Sequence, residues 1–165
     1  HGSATTAVEY FNRWAGQPLP LSGACHLDGR LYVRLSGMPE GVQAAATAIG
    51  GEPLDNAGHF WEQLREQQLP FFAGDTPLWR LSVPAATPPL ALDGATLLDW
   101  GGAQRWLRSE LSADTIRSAV AAVGGHAGPE RTRVAVRAGI DELDPSVPCR
   151  DGGCENRGDH HDSEH

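Results

Sequence analysis

Lysine is absent: all thirteen basic side chains are arginine, against twenty-one Asp and Glu, for a net charge of −8. A chain this acidic lacks the basic surface that neutralises phosphates, which argues against a general nucleic-acid role. The arginine bias suggests GC-rich coding DNA. No apolar run approaches the length of a membrane span, and no signal-peptide pattern opens the chain. Cysteine is scarce and odd in number, at three, which points to free thiols in a reducing compartment rather than a disulfide framework. The glycine pairs form no G-x-G-x-x-G behind a strand, so no Rossmann fingerprint is present. Apolar residues make up only 40% of the chain, so some stretch is expected to be unpacked. The length of 165 residues is nevertheless enough for one domain with a real core.

What is present divides near residue 127. Ala7, Val8, Phe11 and Trp14 share one helical face that ends at Gly16 and Pro18. Two strand-like runs, 19–27 and 30–36, flank Asp28-Gly29, a strong two-residue hairpin signal. In the second run Leu31, Val33 and Leu35 alternate with Arg30, Tyr32, Arg34 and Ser36, giving one buried and one polar face. Helices are expected over 39–49, with Pro near the start and Gly50-Gly51 at the stop, and over about 56–68, with Phe60, Trp61 and Leu64 inward. A strand over 78–83 places Trp79, Leu81 and Val83 on one face and Arg80 and Ser82 on the other. After a proline-rich connector, strands 96–100 and 103–107 surround Gly101-Gly102, and Ser112 caps a last helix closed by Gly124-Gly125. This order predicts an α+β fold: an antiparallel sheet with helices packed on one face over residues 1–127. Residues 128–165 are rich in Arg, Asp, Gly and His and lack periodicity, and are expected to form an irregular tail.

Several strings carry more than their periodicity. LPLSGACHLDGRLYVRLSG (19–37), FWEQLREQQLPFF (60–72), LWRLSVP (78–84), LLDWGGAQRWL (97–107) and GGHA (124–127) together resemble, in order and spacing, the C-terminal region of the FAD-binding subunit of bacterial glycolate oxidase, a flavoprotein of the vanillyl-alcohol-oxidase type. The resemblance covers roughly residues 5–127. It implies a cap domain that covers a flavin held by a domain expected ahead of residue 1, with FAD as cofactor. It also implies a complex with a second flavin subunit and an iron–sulfur subunit that oxidises glycolate, a small 2-hydroxy acid, to glyoxylate. The complex is expected to be cytoplasmic, with peripheral association at the inner face of the membrane. The alternative is a non-catalytic subunit-interaction module without its own flavin. After Ala127 the chain departs from the family's ending, as a frameshift in GC-rich DNA or a fused extension would make it.

Arg80, beside Ser82, and Arg34 project from the polar sheet face, where a guanidinium is shaped to hold a carboxylate by two hydrogen bonds. The bland alternative is a solvated or ion-paired sheet residue. His126, after a double-glycine helix stop, is a candidate proton carrier, or else a helix-end residue. Asp99, Trp100, Gly101 and Gly102 with Arg105 are read as a tight bend presenting backbone to the flavin or a partner, the alternative being a plain hairpin with Trp100 and Trp106 in the core. Phe71-Phe72 and Cys25 are expected to be core residues. Cys149, Cys154, His160, His161 and His165 do not follow a standard zinc-ligand spacing, so no metal site is expected.

Overall fold

In a computed structural model of the chain, residues 2–130 are described. Helix α1 (Ala4–Ala15) starts on Ser3, whose hydroxyl accepts the Thr6 N–H, and buries Ala7, Val8, Phe11 and Trp14. Strands β1 (Leu21–Leu27) and β2 (Arg30–Leu35) pair across the Asp28-Gly29 turn. Both turn residues have positive φ, 49° and 73°, which suits the twist of a tight hairpin. Helices α2 (Pro39–Ile49) and α3 (Ala57–Arg65) follow, then a short 3₁₀ turn at Pro70–Phe72 and strand β3 (Leu78–Ser82). Strands β4 (Ala95–Asp99) and β5 (Gln104–Arg108) are joined through a 3₁₀ turn at Trp100–Gly102. Helix α4 (Ala113–Ala121), capped by Ser112, leads into β6 (His126–Pro129).

The six strands form one open sheet in the order β2-β1-β4-β5-β3-β6, with every pair antiparallel. This is the α+β fold expected from the sequence, with the difference that α3 covers the face opposite the other helices rather than joining them on one. Cross-strand partners share a face, so the pairings assign each side chain. On one face, α1 packs its apolar stripe against Leu98, Leu31 and Val33, and α4 packs Ile116 and Val120 against Trp79, Leu81 and Leu107. Helix α3 lies on the other face, where Leu64 joins Cys25, Leu27, Leu97, Trp106 and Phe72. Tyr32, on the polar side of β2, stacks on Phe60 with ring centroids 4.3 Å apart. Strand β5 is therefore buried along its whole length, with cover on both sides.

The last strand carries the sheet past residue 127. β6 pairs with β3, and the Glu130 N–H donates to Leu78 O at 2.8 Å. The rest of the segment 128–165, with the Cys149, Cys154 and His160, His161, His165 group, lies outside the described residues. No helix among the described residues is long and apolar enough to cross a membrane.

Candidate functional site

The bend between β4 and β5 holds three successive residues in the left-handed backbone region. Trp100, Gly101 and Gly102 adopt positive φ in succession, at 50°, 62° and 96°. Glycine accepts this freely, but for a bulky aromatic residue it is an outlier of the kind that clusters at functional sites. The conformation is held locally and from below. Asp99 Oδ1 accepts the Trp100 N–H at 2.8 Å, and Gln104 Nε2 donates to Asp99 Oδ2 at 3.4 Å. Beneath the bend, a Cβ on Gly102 would lie 3.0 Å from Ala85 O. The bend therefore leaves the Trp100 side chain 67% exposed. Burial raises the Asp99 carboxyl above its ordinary value, opposed by the Trp100 and Gln104 hydrogen bonds.

Strand register then aligns a polar row. Asp99 pairs with Gln104, Gln104 with Ser82, and Ser82 with His126, so four side chains from β4, β5, β3 and β6 share one face. Arg80 lies on the same face two residues from Ser82, opposite Trp106 on one side and Gly128 on the other. Gly128 has no side chain to cover it, and both Arg80 and His126 are exposed. Neither enters an ion pair among the described residues. The register therefore sets a guanidinium and an imidazole, each unpaired among the described residues, as diagonal neighbours on adjacent strands.

The other candidates are placed differently. Arg34 is occupied: it donates to Ser22 Oγ and Ser22 O, and its guanidinium lies 5.6 Å from the Trp61 ring centre. Arg105 is 2% exposed and lies on the opposite sheet face, paired across from Leu81 and Leu98. Its guanidinium donates to Gly102 O at 3.1 Å, Pro88 O at 2.8 Å and Thr87 O. Arg105 thus reaches the bend from inside, through the Gly102 carbonyl. Trp106 is buried edge-on to Phe72, with centroids 5.3 Å apart, whereas Trp100 is outside the core. Cys25 is fully buried, and burial, with the Asp99 charge second, pushes its thiol far up. No group of three or more potential metal ligands occurs among the described residues.

One member of the site, Gln104, has no signal in the sequence. Asp99 heads the expected bend, and its carboxylate accepts the backbone N–H of the next residue. Gln104 required the register.

No protein-family model matches the chain, and no solved structure matches it. Among curated proteins, the glycolate oxidase subunit GlcE of Escherichia coli (strain K12) is 46% identical over 125 residues, which cover 76% of this chain and 35% of that protein. The chain thus spans about a third of the length of this relative, and the portion it spans is related to it.

Proposed function

We propose, from this kinship with a glycolate oxidase subunit, that the chain is the C-terminal cap portion of an FAD-binding subunit in a complex that oxidises glycolate to glyoxylate. The observation that carries the reading, beyond the identity itself, is the exposed Arg80 and His126, unpaired among the described residues, side by side on β3 and β6 on the same sheet face as Asp99 of the Trp100 bend. One end of this face suits a flavin edge: the indole of Trp100 is exposed, and Gly101 has nothing within 4 Å of its missing Cβ. Trp100 and the Gly101-Gly102 backbone would make that contact, with Arg105 a positioning residue acting through Gly102 O. When bound, the flavin supplies the hydride acceptor.

The chain's own residues do the rest. The Arg80 guanidinium binds the glycolate carboxylate by two parallel hydrogen bonds and fixes its orientation. His126 takes the hydroxyl proton as the C–H bond gives up its hydride, leaving the carbonyl of glyoxylate. Both groups sit on β3 and β6, so the spacing between them is set by ladder geometry rather than by a loop. The partners are a second flavin subunit and an iron–sulfur subunit, in a cytoplasmic complex with peripheral membrane association.

A second reading, a subunit-interaction module without its own flavin, draws on the same exposed Trp100, since aromatic anchors are frequent at interfaces. Co-purification separates the two. A full-length subunit bearing this segment, assembled with its partners, should hold FAD and reduce a dye with glycolate. Assembly without glycolate-dependent reduction, in the presence of a competent partner flavin, would favour the module.

A further inference from the structure

The sheet face opposite Arg80 holds a separate feature. Beneath the proline-rich connector lies a cavity of about 50 Å³ walled mainly by Leu81, Leu90, Leu92, Leu98 and Leu107, with Arg105 and Thr96 as its polar lining residues. Here a guanidinium is 2% exposed in a largely aliphatic setting. A buried charge is ordinarily matched by an opposite one, but the sole ion pair among the described residues is Arg65–Glu66, on the surface. The three bonds of Arg105 all go to neutral backbone carbonyls. Each terminal nitrogen makes one of these, so Nη1 and Nη2 each keep a second hydrogen.

We infer that this cavity is a binding site for a small aliphatic monocarboxylate, with Arg105 taking the carboxylate and the leucines taking the short chain. Size sets the class: a water needs about 10–15 Å³ of such space, so there is room for an acid of roughly two or three carbons. Charge sets the sign, because an anion supplies the counter-charge that the fold leaves out. Burial without an acid also holds the Arg105 pKa below its ordinary value, and a bound carboxylate would relieve this. The site is on the other face of the sheet from Arg80 and His126, and it stands independently of the proposed oxidation.

Heteronuclear NMR on the isotope-labelled chain tests it, with propionate as the probe, propionamide as its neutral counterpart and sodium chloride at matched ionic strength. Propionate should shift the Arg105 Nε–H and the Leu98 and Leu107 amide signals saturably, and propionamide should not. Leu90→Trp adds bulk at the cavity wall while Arg105 itself is kept. It should weaken propionate at least about tenfold while the Arg105 Nε–H signal persists, showing that the fold is intact. Arg105→Lys, which keeps charge but loses the fork, should also weaken it. Equal response to propionamide, saturation of the same signals by chloride alone, or unchanged binding in Leu90→Trp would overturn the assignment.

Discussion

Asp99 Oδ1 accepts the Trp100 backbone N–H at 2.8 Å, and the residue so held has a φ of 50° with its indole 67% exposed. A half-buried carboxylate thus stabilises a conformation that tryptophan alone would not choose, and it does so at the end of the face carrying Arg80. The energetic tie is local, so Asp99→Ala should cost about 0.5–2 kcal/mol, the range for losing a capping side chain. It should also change the Trp100 environment, read as a shift in indole fluorescence. Asp99→Asn keeps an acceptor oxygen and should show little of either effect.

The same carboxyl gives a pH dependence. Its folded pKa is raised above the ordinary value of 3.8, chiefly by burial. Between those two values the folded state holds a proton that the unfolded state has released, so this group's contribution to stability falls as pH rises through the window. Urea melts at several pH values should show that falling component in the wild type and its loss in Asp99→Asn. A component of opposite sign would mean that the hydrogen bonds outweigh burial.

Gly125 and Gly124 make a paired test of how β6 is seated. A Cβ at Gly125 would lie 2.4 Å from Ser82 O and 2.8 Å from Val83, whereas at Gly124, with φ of 77°, it would meet nothing within 4 Å. Gly125→Ala should therefore cost about 1–3 kcal/mol through overpacking and expose the His126 amide to hydrogen exchange. Gly124→Ala should cost only about 1 kcal/mol, the conformational penalty alone.

The reach of the sequence is visible in these particular residues. The Asp28-Gly29 hairpin was legible because its turn is fixed by two neighbouring residues of the right type. So was β3, where Trp79, Leu81 and Val83 alternate with Arg80 and Ser82. Strand β6 was not: His-Ala-Gly-Pro has no apolar alternation, and its place depends on how closely Gly125 meets β3. Arg105 was not legible either. A charged residue on a strand reads as facing water, yet this one sits among leucines because distant carbonyls at Thr87 and Pro88 receive it. Helix α3 showed its inward stripe, but no local signal says which sheet face the stripe will meet. Within the site, the Trp100-Gly101-Gly102 bend was readable, and the row joining Asp99, Gln104, Ser82 and His126 needed the strand order.

Cys25 offers a check on the core beneath the bend. It is 0% exposed, and burial keeps its thiol protonated well above the usual range. Alkylation of the native chain should leave the Cys25 peptide unmodified by mass spectrometry, and denaturant should make it reactive. Native labelling at Cys25 would mean that β1 and β4 separate readily.

The chain by itself should not hold FAD. Among the described residues the fit to a flavin rests on the exposed indole and open Gly101, with no phosphate-cradling glycine loop. Purified residues 1–165 should be colourless, and added FAD should wash away on gel filtration. Recovery of a yellow protein with about one flavin per chain would place the main cofactor site within this segment.

The central claim is that the exposed Arg80 handles the substrate while its strand neighbour Trp79, buried on the opposite face, holds the fold. Trp79 is 7% exposed, its Nε1 has no hydrogen-bond partner among the described residues, and it packs with Leu107 and Ile116. Trp79→Phe should therefore act on stability and leave turnover near normal. Arg80→Ala should do the reverse. Loss of a charge-assisted bond to a carboxylate costs about 1.5–3 kcal/mol, or roughly ten- to a hundredfold in rate or affinity. The decisive measurement is glycolate-dependent dye reduction by the full-length subunit assembled with its partners, comparing the two variants at matched folded concentration set by thermal melting. The expected result is that kcat/KM for glycolate falls at least about tenfold in Arg80→Ala and stays within a few-fold of wild type in Trp79→Phe. Near-normal turnover and glycolate affinity in Arg80→Ala would contradict it and move substrate recognition to another subunit.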